Sequence, residues 1–107
     1  MSLQQVWAIG IAKSLRGGGI DLETCCEASR FLEALDPKEL EKDFAKERTC
    51  LLIMRIGEET TFLPRLVLQE SIVGNVRLKK QKKEAERKGL AFMFTCIDVK
   101  PMLDLII

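Results

Sequence analysis

The amino-acid sequence predicts an α+β domain: two or three N-terminal helices packed on a mainly antiparallel sheet of three to four strands. Up to about residue 47 apolar side chains recur every three or four positions, the spacing of one helical face. From Thr49 onward they come in short runs and in alternation, the spacing of strands. The length of 107 residues bounds the chain to one domain, with 1–47 as its helical part and 48–107 as its sheet-forming part.

Leu3, Val6, Trp7, Gly10, Ile11 and Leu15 define the apolar face of a first helix. Lys13 and Arg16 fall in its last turn, where cations complement the carbonyl end, and Gly17, Gly18 and Gly19 are expected to end it. Asp21 is placed to cap a second helix with a face of Leu22, Cys25, Cys26, Ser29, Leu32 and Leu35, so both neighbouring cysteines are expected on its core side. Asp36, Pro37 and Glu39 form a third start signal, an N-cap, a proline in the first turn and an early acid. The short helix that follows is anchored by Leu40 and Phe44.

The run CLLIMRI, residues 50–56, suits a buried strand, with a turn at Gly57, Glu58 and Glu59. Between Pro64 and Leu78 the even positions are mainly apolar and the odd ones mainly polar, which predicts strand, broken near residues 69–71 because fifteen residues exceed one typical strand. KKQKKEAERKG, residues 79–89, is rich in helix formers, has Lys80 and Glu84 four apart, and ends on a glycine stop. LAFMFTCI, residues 90–97, is apolar on both faces and reads as a central strand. A last segment after Pro101 fits helix or strand.

Composition removes several function classes. There is no histidine and no CxxC pair, so the usual proton-transfer side chain and the usual zinc spacing are both missing from the sequence. Arg16 to Gly19 lacks the Gly-Lys-Ser/Thr end of a phosphate loop, and Glu58 with Glu59, or Glu39 with Asp43, read as solvated turn and helix acids. Cys25 has no base partner in view for nucleophilic work. A non-catalytic protein without metal or cofactor is expected. No apolar run approaches the roughly 18–20 residues of a membrane span, and the first fifteen residues lack the basic start and cleavage site of a secretory signal. The expected setting is therefore cytoplasmic or another reducing intracellular compartment, with Cys25, Cys26, Cys50 and Cys96 as buried free thiols.

Charge is divided unevenly along the chain. Residues 1–47 carry six basic and nine acidic groups, and residues 77–107 eight basic and four acidic, although the whole chain is only +1. Arg77, Lys79, Lys80, Lys82, Lys83, Arg87 and Lys88 stand against only Glu84 and Glu86. Such a cluster neutralises phosphates and releases counterions on meeting nucleic acid; equally, it forms a solvated helix face.

Beside that run, Lys88, Gly89, Leu90, Ala91, Phe92, Met93 and Phe94 resemble the RNP1 motif of the RNA-recognition motif family, which runs basic, Gly, aromatic, Gly or Ala, aromatic, aliphatic. GNVRL, residues 74–78, is similar to the glycine and second strand that lead into that motif, so the resemblance spans about residues 74–105. Leu90 and Thr95 stand where the family places aromatics, and CLLIMRI has none for the companion RNP2 site. The resemblance implies RNA as partner, with Arg77, Lys79, Lys80, Lys82, Lys83 and Lys88 on phosphates and Phe92 or Phe94, Phe92 foremost, stacking on bases. The competing expectation is a protein-interaction subunit or homo-oligomer, motivated by the apolar tail MLDLII and by Trp7 and Phe44, which one small core need not cover.

Overall fold

Ser2 opens the first helix with a capping box. Its side chain accepts from the Gln5 amide, and the Gln5 side chain accepts from the Ser2 amide at 2.7 Å. In the computed structural model, which describes residues 1–44, 49–67 and 76–106, this helix, α1, spans Leu3–Gly17 and ends in a Schellman turn. Gly19 takes φ +92° there, and Ile20 donates back to the Leu15 carbonyl. Helix α2, Leu22–Ala34, starts on Asp21 as predicted, with the carboxylate accepting from the Thr24 amide at 3.0 Å. Gln4 of α1 donates to the Leu32 and Leu35 carbonyls at the end of α2, satisfying acceptors that the helix itself leaves open. Helix α3, Pro37–Phe44, starts where Asp36 and Pro37 place it, and Leu40 and Phe44 are fully buried.

Strand β1, Thr49–Ile56, turns at Gly57 and Glu58 into β2, Glu59–Val67. Gly57 sits at φ +60°, a backbone that the first loop position of a tight hairpin demands and that side chains resist. Helix α4, Val76–Arg87, then carries the chain from β2 to β3, Phe92–Asp98, on the far side of β1. The described strands form one antiparallel sheet in the order β2-β1-β3. The predicted α+β architecture, N-terminal helices with a mainly antiparallel sheet of three to four strands, is the one found, with three strands among the described residues.

Two local expectations need correction. Val76 to Leu78 are the first turn of α4 rather than the end of a strand; alternation over three residues is too short to outweigh the helix formers that follow. The expected break at 69–71 and the glycine of GNVRL lie outside the described residues. Residues 90–97 do not make a central strand either. Leu90 and Ala91 precede β3, and among the described strands β3 lies at an edge, with β1 in the middle. After Pro101, Leu103–Leu105 form a short 3-10 helix entered through Met102 at φ 66°, which tucks Leu103 into the core.

Strand parity gives the sheet two faces. Leu51 and Ile53 of β1, with Phe62 of β2 and Ile97 of β3, meet Trp7, Ile11, Leu15, Leu32, Leu40 and Phe44 of the three N-terminal helices. Trp7 is 1% exposed and its indole Nε1 donates to the Val99 carbonyl at 2.8 Å, while its ring meets Phe44 edge-on at 6.2 Å. Phe31 of α2 stacks on Phe62 at 5.0 Å. Trp7 and Phe44 are thus covered by the chain's own core, and neither presents an uncovered surface to a partner.

Candidate nucleic-acid interface

The other face of the sheet is built from the alternate residues. Leu52 and Met54 form a second, smaller cluster with Leu78 of α4, flanked by half-buried Ile56, Leu63, Phe92 and Cys96. Here α4 rests on the sheet. Leu78 and Ala85, seven residues apart, are its buried positions, so one narrow stripe faces inward and the rest faces water. Gly89 ends the helix at φ +68°, with the Leu90 amide donating to the Ala85 carbonyl, a second Schellman turn that aims the chain into β3.

That stripe decides where the charge goes. Arg77, Lys79, Lys80, Lys82, Lys83 and Lys88 are all exposed along α4 and its C-terminal turn. Glu84 is engaged by Arg87 and lies 3.6 Å from Lys88, and the bond to Arg87 holds its carboxyl below the usual range. Lys79, Lys82 and Lys83 make no ion pair among the described residues. Their charge is therefore displayed rather than consumed.

Phe92 and Phe94 stand on the same face of the sheet as Leu78, the face turned away from the N-terminal helices. Their ring centroids are 6.0 Å apart and the planes tilted by 53°. Phe92 is half-buried against the Leu52, Met54 and Leu78 cluster, whereas Phe94 is 39% exposed. The more available ring is therefore Phe94, not the Phe92 that the sequence favours. Leu90, 44% exposed, belongs to the turn before β3 and packs over Gly57 rather than standing in a row with the two rings.

The cysteines divide differently from the expectation of four buried thiols. Cys50 and Cys96 are joined in a disulfide between β1 and β3, closing a sequence separation of 46 residues on the α4 side of the sheet. Cys25 is free and buried, and desolvation pushes its thiol pKa up, which makes it a poor nucleophile. Cys26 is free but exposed, because α2 turns it away from the core that Cys25 enters. No helix among the described residues is long and apolar enough to cross a membrane. No group of three or more His, Cys, Asp or Glu there is placed to hold a metal ion.

One polar cluster escaped the sequence reading. Arg55, the cation inside the apolar run CLLIMRI, donates to the Thr24 hydroxyl at 2.9 Å and to the Asp21 carboxylate at 3.3 Å, while Thr24 donates to Asp21 at 2.8 Å. Thr24 is fully buried. The cluster fastens the start of α2 to the end of β1, and the bonds from Thr24 lower the Asp21 pKa, with Arg55 adding to the effect. Asp21 stands out in the sequence as a cap, but nothing local links it to an arginine 34 residues away.

Compared with family models, with curated proteins and with solved structures, the chain finds no match in any of the three.

Proposed function

We propose that the protein is a non-catalytic module that grips single-stranded RNA with α4 and the sheet face beneath it. One observation supports this reading above the others: a row of unconsumed lysines and a partly exposed aromatic ring share one side of the molecule. In this reading Arg77, Lys79, Lys80, Lys82, Lys83 and Lys88 follow the phosphates, and Phe94, backed by Phe92, offers a base a flat face. The RNP1-like run from Lys88 to Phe94 is part of the same support. With a net charge of only +1 there is no domain-wide field, so affinity should be local to α4 and strongly dependent on salt.

The proposal sets the protein inside the cell, where RNA is found. The Cys50–Cys96 bond pulls the other way, since reducing compartments keep thiols open. Alkylating the protein as cells are lysed, then counting blocked thiols by mass spectrometry, measures which state prevails.

The test of function is a salt titration of binding to a fluorescent single-stranded RNA. The expected outcome is a linear fall of log affinity with log salt, a shallower slope for Lys82→Glu/Lys83→Glu, and a loss of about 1–3 kcal/mol for Phe94→Ala. Absence of binding at low salt, or a double lysine variant that binds as well as the unmodified chain, would sink the proposal.

A further inference from the structure

Among the described residues nothing pairs with the side of β3 turned away from β1, and the direction of that side can be read from one bond. Register pairs Ile56 with Phe92 and Arg55 with Met93, and the Gly57 amide donates to the Ala91 carbonyl at 2.8 Å, continuing the same ladder. In an antiparallel ladder bonded and non-bonded pairs alternate. Ala91, Met93, Thr95 and Ile97 therefore spend their amides and carbonyls on β1. Those of Phe92, Phe94, Cys96 and Asp98 turn outward, and no described residue meets them.

Edge strands that stay single carry devices against pairing: a proline, a lysine, a bulge or a buried charge. The opposite edge, β2, has Pro64, and its ladder with β1 is shifted by an irregularity between Cys50 and Leu52. β3 has none of these. FMFTCI is uncharged up to Asp98, contains no proline, and its ladder with β1 runs without a shift. The Cys50–Cys96 bond also holds β3 to β1, so the exposed edge is a fixed template rather than a fraying end.

We infer that β3 pairs antiparallel with β3 of a second copy of this chain, joining two three-stranded sheets into one of six. The occupant is a second copy because the strand is its own complement. A two-fold axis at Thr95 sets Phe92 against Asp98 of the second copy and Phe94 against Cys96 of the second copy, which bonds all four outward residues. Thr95 faces its own counterpart, and paired threonines on one sheet face are a favourable cross-strand pair. Strand 92–97 brings no charge to repel its copy, and the chain as a whole is +1. The inference goes beyond RNA binding and stands without it. If both hold, the joined sheet presents two Phe92 and Phe94 pairs on one continuous face.

Light scattering on a sizing column measures the mass directly. The unmodified chain is expected at twice the chain mass. Thr95→Lys and Thr95→Glu are each expected at the single-chain mass, since each sets like charges face to face, and an equimolar mixture of the two is expected to regain the double mass. Phe94→Pro removes an amide that β1 does not use, so it is expected to keep a cooperative thermal transition and to run as a single chain, which decides the matter if either Thr95 variant fails to fold. A single-chain mass for the unmodified protein, or a double mass that persists in Phe94→Pro, would overturn the inference. A mixture that stays monomeric would overturn the Thr95-centred register.

Discussion

The two faces of the sheet are made from neighbouring residues of the same strands and have come out unlike each other. Leu51 and Ile53 look into a closed core roofed by three helices, where Trp7, Phe44, Leu32 and Leu40 are sealed from water. Leu52 and Met54, one step along the strand, look at one helix among the described residues, which touches them through Leu78, with Phe92, Ile56 and Leu63 only partly covered. The first face is where folding free energy concentrates, because burial of apolar area is what stabilises a small domain. The second has just enough cover to seat α4 and leaves its lysines and Phe94 to the solvent. Stability and candidate function are thus separated by one residue of strand parity.

That separation can be broken most sharply by a matched pair of truncations. Trp7→Ala removes a sealed indole and leaves the Val99 carbonyl without its donor, so a loss of about 3–5 kcal/mol is expected. Leu78→Ala empties a site in a small cluster, where buried Leu52 and Met54 are flanked by half-buried Ile56, Leu63 and Phe92 that are able to close in, so its loss should sit at the low end of the Leu→Ala range, about 2 kcal/mol. Urea unfolding of both variants measures the difference. Equal losses would mean that the α4 face contributes as much to the fold as the helical core.

The next largest effect belongs to the disulfide, which ties β1 to β3 on the weaker face. Closing a loop of this length restricts the unfolded chain, and its reduction is expected to cost about 2–4 kcal/mol. The contrast between faces predicts where the loosening appears. Amide exchange should quicken in β3 and α4 while α1 and α2 keep their protection. Uniform quickening across the chain would show that the bond holds up the whole fold.

Sequence made the first face far more legible than the second, for physical reasons. Helix starts and stops are local: Asp21 accepts from Thr24, Asp36 stands before Pro37, and Gly19 and Gly89 take the positive φ that side chains resist. Periodicity then points to the centre of each buried stripe: Trp7, Ile11, Leu15, Cys25, Leu32, Leu40 and Phe44 lie where it places them, whereas Leu3, Val6, Leu22 and Cys26, set on the same faces, are exposed. What was not legible depends on pairings between distant residues. The position of β3 at the edge is a matter of strand order, which no spacing encodes. Cys50 and Cys96 look like small hydrophobes until the ladder brings them together across 46 residues. The lysines of the candidate site were plain in the sequence. That their helix would lie on the face bearing Phe92 and Phe94, and that Phe94 would be the more open ring, followed only from the register of β1 with β3.

The smallest expected effect concerns the seam where α2 meets β1. Asp21 accepts from the amide and hydroxyl of Thr24 and from Arg55, and these bonds favour its charged form, so its pKa in the folded protein lies below the ordinary 3.8. A carboxyl depressed in this way contributes its full stabilisation above the pKa of the unfolded chain. The contribution shrinks as pH falls below that value and is gone once pH has passed through the folded pKa. Stability should therefore decline on acidification below about pH 4. Asp21→Asn keeps a capping side chain but carries no charge to lose, so its unfolding midpoint should fall less steeply over that interval. The side chain is half exposed, so the difference in slope should be small and weaken further in salt. Identical acid profiles for the two proteins would reduce the Asp21, Thr24 and Arg55 cluster to a neutral hydrogen-bonded latch. The charge would then add nothing to the cap that fastens the helical layer to β1.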